Sequence, residues 1–137
     1  MANILLADDN WSIREYCRRE LEEEGHRVAV ARNGAEAVRL TDWLRPDLVI
    51  LDINMPGMDG LEAVGRIRNI EAGLPVVFFT AFDDACAQDE RACRATACVE
   101  KQEDLTELKR VVADALWARR RSQPYRLGLP PAVLGAS

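Results

Sequence analysis

Short, continuously apolar runs alternate along the chain with stretches whose apolar residues recur every three to four positions. Ile4-Leu5-Leu6-Ala7, Leu48-Val49-Ile50-Leu51 and Val76-Val77-Phe78-Phe79 have no polar side in them, the pattern of strands covered on both faces. With two shorter runs they predict strands at about residues 3–8, 27–31, 48–52, 76–80 and 97–100. Between them lie helix signals. Ser12-Ile13-Arg14-Glu15 reads as a capping box, opening a helix with Ile13, Tyr16, Cys17 and Leu21 on one face that stops at Gly25. Asn33-Gly34-Ala35-Glu36 starts a second helix, carrying Ala37, Val38, Leu40, Thr41 and Leu44, and Pro46 ends it. Residues 61–70 and 85–95 suit a third and a fourth helix. Asp104-Leu105-Thr106-Glu107 caps a last one reaching about Arg121, with Leu105, Leu108, Val111, Val112, Ala115 and Leu116 as its buried stripe.

Five βα units joined by right-handed crossovers make an α/β domain, a doubly wound five-stranded parallel sheet between two layers of helices. In the order 2-1-3-4-5 the first and third strands flank the point where ligands bind, outside the carboxyl ends of the strands. The folded domain is expected over residues 1–121. Residues 122–137, which hold Pro124, Gly128, Pro130, Pro131 and Gly135, read as a C-terminal tail with no effector domain.

Composition narrows the field of functions. The 137 residues carry a net charge of −5, with both signs interspersed, which argues against direct nucleic-acid binding. The one dense basic stretch, Arg119-Arg120-Arg121 with Arg126, reads as a solvated helix end favoured by the helix dipole. No signal-peptide pattern opens the chain, and its apolar runs fall far short of the ~20 residues that span a bilayer. A cytoplasmic protein with no membrane contact is expected. Cys17, Cys86, Cys93 and Cys98 lack CxxC spacing, which argues against zinc. Cys86 and Cys93, on one helix, would stand about 10.5 Å apart, too far for a disulfide. All four are expected to be reduced, small apolar side chains.

The chemistry gathers at the strand ends. The first strand runs into Asp8 and Asp9, the third into Asp52, the fourth into Thr80, and the fifth leads to Lys101. Like-charged carboxylates crowded together cost stability unless a cation shares their site. Three of them beside a hydroxyl and an amine point to a divalent metal and to phosphate chemistry. Trp11 and Met55 border this region and read as packing or partial shielding.

This ordered set resembles the receiver domains of two-component response regulators, over about residues 2–120. The resemblance rests on Asp8-Asp9, Asp52, the Asn54-Met55-Pro56-Gly57-Met58-Asp59-Gly60 loop, Thr80-Ala81 and Lys101. It implies a flavodoxin-like three-layer sandwich and a phosphoacceptor switch or phosphorelay intermediate rather than a dedicated enzyme. Asp52 would accept a phosphoryl group from a phosphohistidine. Mg²⁺ (or Mn²⁺) would sit on Asp9, Asp52 and the Asn54 backbone carbonyl, with Asp8 assisting through water. Lys101, Thr80 and Ala81 would contact the phosphoryl group and carry the switch. The implied partners are a sensor histidine kinase or histidine phosphotransfer protein and a downstream protein. The output surface would involve the fourth helix, the fifth strand and the last helix.

Three departures from the family pattern bear on the switch. Cys98 stands where the family has an aromatic ring, Gln102 follows the lysine where a proline is usual, and the stretch from Thr80 to Lys101 is one residue short. They motivate an alternative, a phosphorylation-independent interaction module. Trp117 points away from the buried stripe of the last helix, so this residue and Cys98 are candidate contacts for a partner or for a homodimer through that helix. A phosphatase of the haloacid-dehalogenase type needs a second acid two residues after its nucleophile, and Asn54 occupies that position.

Overall fold

The continuously apolar runs become the centre of a sheet. In the computed structural model, which describes residues 1–81 and 88–122, the strands are β1 (Asn3–Ala7), β2 (Arg27–Ala31), β3 (Leu48–Leu51), β4 (Val76–Thr80) and β5 (Ala97–Glu100). All neighbours pair in parallel, in the order β2-β1-β3-β4-β5. The helices are α1 (Trp11–Glu23), α2 (Gly34–Leu44), α3 (Gly60–Ile70) and α4 (Thr106–Ser122). The expected fold and strand order are both present.

Alternate residues along a strand face opposite sides, and the core divides accordingly. Leu5, Ala7, Val49, Leu51, Val76 and Phe78 pack on Ala37 of α2 and Val64 and Ile67 of α3. Ile4, Leu6, Leu48, Ile50, Val77 and Phe79 pack on Cys17 and Leu21 of α1 and Leu108, Val112 and Leu116 of α4. Burying each of the larger side chains contributes roughly 1.5–3 kcal/mol, which makes the three central strands the rigid part of the molecule. Burial also pushes the Cys17 thiol up to about 12, so it stays protonated as a core residue.

Several expectations need correction. Helix α1 is capped by Asn10, whose side chain accepts from the Ile13 amide at 3.1 Å, not by the Ser12 box. Asn caps as well as Ser and stands one residue before the helix. The buried stripe of α1 is Arg14, Cys17 and Leu21, while Tyr16 is half out and donates from its hydroxyl to the Glu103 carbonyl. Arg119 is no solvated helix end: it lies on the buried stripe of α4, paired with Glu71 at 2.5 Å. Of the fourth helix, expected over 85–95, the described residues hold α-helical Gln88 and then a short 3₁₀ helix at Glu90–Arg94, capped by Asp89 and closed by the Ala95 amide bonding the Ala92 carbonyl. Residues 85–87 of that expectation, Cys86 among them, lie outside the described residues, as does the tail beyond Ser122. Cys98 is disulfide-bonded and exposed on the edge strand β5, and Cys93 is free but exposed. The expectation of reduced, buried thiols therefore holds for Cys17 alone among the described cysteines.

Among the described residues no helix is long and apolar enough to cross a membrane.

Candidate functional site

The site lies where β1, β3 and β4 end and their side chains pass from core to crevice. The ladder extends one residue past the strands: the Asp52 amide bonds the Ala7 carbonyl at 3.0 Å and the Lys101 amide bonds the Thr80 carbonyl at 2.8 Å. Backbone pairing therefore sets where Asp52 and Lys101 sit. Two glycines shape the loop after Asp52. Gly57 takes a left-handed φ of +74°, and a Cβ on Gly60 would stand 2.3 Å from the Asp52 carbonyl oxygen, so only glycine lets α3 begin against the end of β3.

Carboxylate oxygens of Asp8, Asp9 and Asp52 lie within 4.8 Å of one another. Asp8 and Asp52 are 2% and 4% exposed, whereas Asp9 is open to solvent. The Lys101 ammonium reaches both buried acids, at 2.7 Å to Asp8 and 3.1 Å to Asp52, and stands 5.9 Å from the centre of the Phe79 ring. Burial raises the Asp52 carboxyl above its ordinary value, and the Asp8 charge adds to the rise, while Lys101 opposes it. For Lys101, burial disfavours the charge, yet its bonds and attractions to Asp8 and Asp52 raise it overall. The lysine is thus held as a cation between two acids, with a third acid beside them.

The residues singled out in the sequence are placed unevenly. Asp8, Asp9, Asp52 and Lys101 converge. Thr80 is 1% exposed and its hydroxyl has no hydrogen-bond partner among the described residues; a buried hydroxyl left in that state costs free energy. Asn54 donates its amide to Asp52 Oδ1 at 3.3 Å, which holds its peptide beside the acids. Ala81 is exposed just past β4, and Met55 joins the core while Trp11 is 67% exposed. Cys98 and Trp117, at 62% exposure, lie outside the acidic cluster on β5 and α4. Sequence reasoning missed Arg14, which is 7% exposed and donates from Nη1 to the Asp8 carbonyl at 2.8 Å. Its spacing with Cys17 and Leu21, three and seven residues on, was the signal that could have found it.

The donor set suits a small hard cation. Mg²⁺ takes oxygen ligands, keeps several waters and uses one or two protein carboxylates with phosphate. Three clustered carboxylates against one ammonium leave negative charge uncompensated, and Asp9 has no side-chain partner among the described residues.

Comparison with known proteins agrees with this geometry. Residues 4–113 match the response regulator receiver domain family. Sporulation initiation phosphotransferase F of Bacillus subtilis is 33% identical over 110 residues, covering 80% of this chain and 89% of that protein. The transcriptional regulatory protein AfsQ1 of Streptomyces coelicolor is 40% identical over 84 residues, 61% of this chain and 37% of its own. The positive alginate biosynthesis regulatory protein of Pseudomonas aeruginosa is 37% identical, with 54% of its length covered. The chain therefore spans from about a third to about half the length of those two relatives. Among solved structures, the response regulator TrrA of Thermotoga maritima in complex with Mg²⁺-BeF superposes with a TM-score of 0.80 at 38% identity, covering 84% of this chain and 99% of that one. The same regulator in complex with histidine kinase ThkA gives 0.79 at 39% identity, with 85% and 99% covered.

Proposed function

The chain belongs to the response regulator receiver domains of two-component signalling, and on that premise we propose that it is a phosphoacceptor switch whose acceptor is Asp52. The observation that carries this reading is the convergence of Asp8, Asp9, Asp52 and Lys101 on one crevice. A carboxylate oxygen of Asp52 forms the new bond to phosphorus as the bond from phosphorus to a donor histidine nitrogen breaks. The electron pair stays on the imidazole, which takes up a proton. Asp9, Asp52 and the Asn54 carbonyl would hold Mg²⁺, with Asp8 supporting through water; when bound, the ion neutralises charge on the transferring phosphoryl oxygens. Lys101 gives the product phosphoryl group a cationic partner in place of the Asp52 carboxylate. Thr80 supplies a hydroxyl with no hydrogen-bond partner among the described residues, available to contact a new phosphoryl oxygen and carry the switch.

The donor is a sensor histidine kinase or a histidine phosphotransfer protein, in line with the complex that ThkA makes with TrrA. The readout is a change of protein contacts on the face of β5 and α4, where Trp117 is exposed and where a second copy or a target could dock. Residues 1–121 are taken as the unit that carries this activity. Incubation with phosphoramidate and Mg²⁺ should add one phosphoryl group to the protein by intact mass and none to Asp52→Ala; equal labelling of both ends the reading.

The disulfide-bonded Cys98 at the usual aromatic position favours a second reading, an interaction module read without phosphate. Partner affinity that shifts by about tenfold or more on phosphorylation, 1.4 kcal/mol, discards it.

A further inference from the structure

The three acids of the site are held in different ways. Asp8 is fixed by Lys101 at 2.7 Å and by the Asn10 amide on its other oxygen at 2.8 Å. Asp52 is fixed by Lys101 at 3.1 Å and the Asn54 amide at 3.3 Å. Asp9 has no hydrogen bond or ion pair to its side chain among the described residues, so its carboxylate goes where the backbone takes it. That backbone is clamped from two sides. The Asp8 amide bonds the Ala31 carbonyl of β2 at 3.1 Å, and the Asp8 carbonyl, half of the peptide that joins the two aspartates, accepts from Arg14 Nη1 at 2.8 Å.

Arg14 is an odd occupant of its place. It shares a buried stripe of α1 with Cys17 and Leu21, both of the apolar cluster on that side of the sheet. Its Nε is buried with no hydrogen-bond partner among the described residues, a state that disfavours a guanidinium inside protein. A methionine would fill the same volume without that cost, so packing alone does not account for the residue. What remains is the planar, pre-organised fork of donors aimed at one carbonyl.

We propose that Arg14 is a positioning residue for the metal-binding end of the site: by holding the Asp8–Asp9 peptide, it places the otherwise unsupported Asp9 carboxylate where a divalent cation needs it. This rests on the reading of Asp9 as a magnesium ligand. Groups that orient metal ligands are typically worth 10- to 100-fold in metal affinity, and Arg14 does for a backbone segment what they do for a side chain.

The test uses MgCl₂ alone as the probe, titrated calorimetrically into the full chain. Arg14→Met should weaken binding by roughly 10- to 100-fold, while the phosphorylation rate with phosphoramidate returns toward the wild-type maximum once Mg²⁺ saturates. Arg14→Lys, which keeps a donor, should recover part of the loss. Combined with Asp9→Asn, Arg14→Met should cost nothing further, because both act on the same ligand. A folded Arg14→Met chain with wild-type affinity, or losses that simply add to those of Asp9→Asn, overturns the proposal. Should wild type itself fail to bind Mg²⁺, the reading of the site falls, and that result is separate. If Arg14→Met does not fold, the unaltered protein decides. A clamped guanidinium gives separate Nη signals in nitrogen NMR that shift on Mg²⁺ addition, and a single averaged signal indifferent to Mg²⁺ refutes the clamp.

Discussion

Two buried cations, one at the carboxyl-end crevice of the sheet and one on the last helix, face acids in opposite ways. Arg119, on α4, has a side chain 3% exposed and, among the described residues, pairs with one carboxylate, Glu71 at 2.5 Å, with the Gly73 carbonyl at 3.4 Å as a second acceptor. One positive charge meets one negative charge, and the pair ties α4 to the turn after α3. Lys101, 14% exposed, meets two buried carboxylates at 2.7 and 3.1 Å, with Asp9 beside them. There the acids outnumber the cation. A matched pair is a fastening; an unmatched cluster holds free energy that a ligand can release. The contrast separates structural from functional electrostatics within one small sheet.

The largest effect expected from this contrast is on folding. Arg119→Met leaves Glu71 without its partner and should lower stability by about 3 kcal/mol, the low end for such pairs because Glu71 keeps 22% of its side chain in solvent. Phosphorylation per folded molecule should not change; denaturant melts and intact mass report the two quantities separately. Lys101→Met strands two buried carboxylates and should also lower stability, but unlike Arg119→Met it should slow phosphorylation per folded molecule from a small donor, by about a hundredfold. A matching loss of stability and no loss of rate would erase the distinction between the two cations.

A smaller effect runs through pH. The Asp52 carboxyl is raised above its usual 3.8, chiefly by burial, so the folded chain binds that proton more readily than the unfolded one. Stability from this group therefore falls as pH rises from the unfolded value through the folded one, and neutral pH is the unfavourable side. Asp52→Asn should melt a few degrees above wild type at pH 7, with Lys101 still paired to Asp8, and the gap should close as pH drops below the raised value. A variant that melts lower at pH 7 would show that the cluster is not under electrostatic tension. Smallest of all, Trp117→Ala should shift stability by no more than ~0.5 kcal/mol, since the ring is 62% exposed. If that ring serves a partner or second copy, sedimentation will register the loss when melting does not.

Most of the fold was legible because burial on both faces leaves an unmistakable trace: Leu48–Leu51 and Val76–Thr80 are buried at every position. The acidic site was legible for a related reason, since parallel strands deliver whatever follows them to the same edge. What escaped was the placement of long charged side chains. Arg14 and Arg119 each sit on a helical stripe that apolar periodicity assigns to the core, but a charged residue there reads as a boundary or a solvated end. Only the carbonyls and the carboxylate they reach, from the Asp8 carbonyl to Glu71, show why they are inside. The span over 85–95 was legible only in part: among the described residues Gln88 is α-helical, while Glu90–Arg94 tighten into a 3₁₀ helix that small residues with good helix propensity do not distinguish from an α-helix.

The central claim is that Asp52, and no other acid of the cluster, receives the phosphoryl group. Borohydride reduction of the freshly phosphorylated protein converts an acyl phosphate to an alcohol, and peptide mass mapping then locates the altered residue. The account predicts homoserine at position 52 alone; the same mark at Asp8 or Asp9, or at no carboxylate, would contradict it.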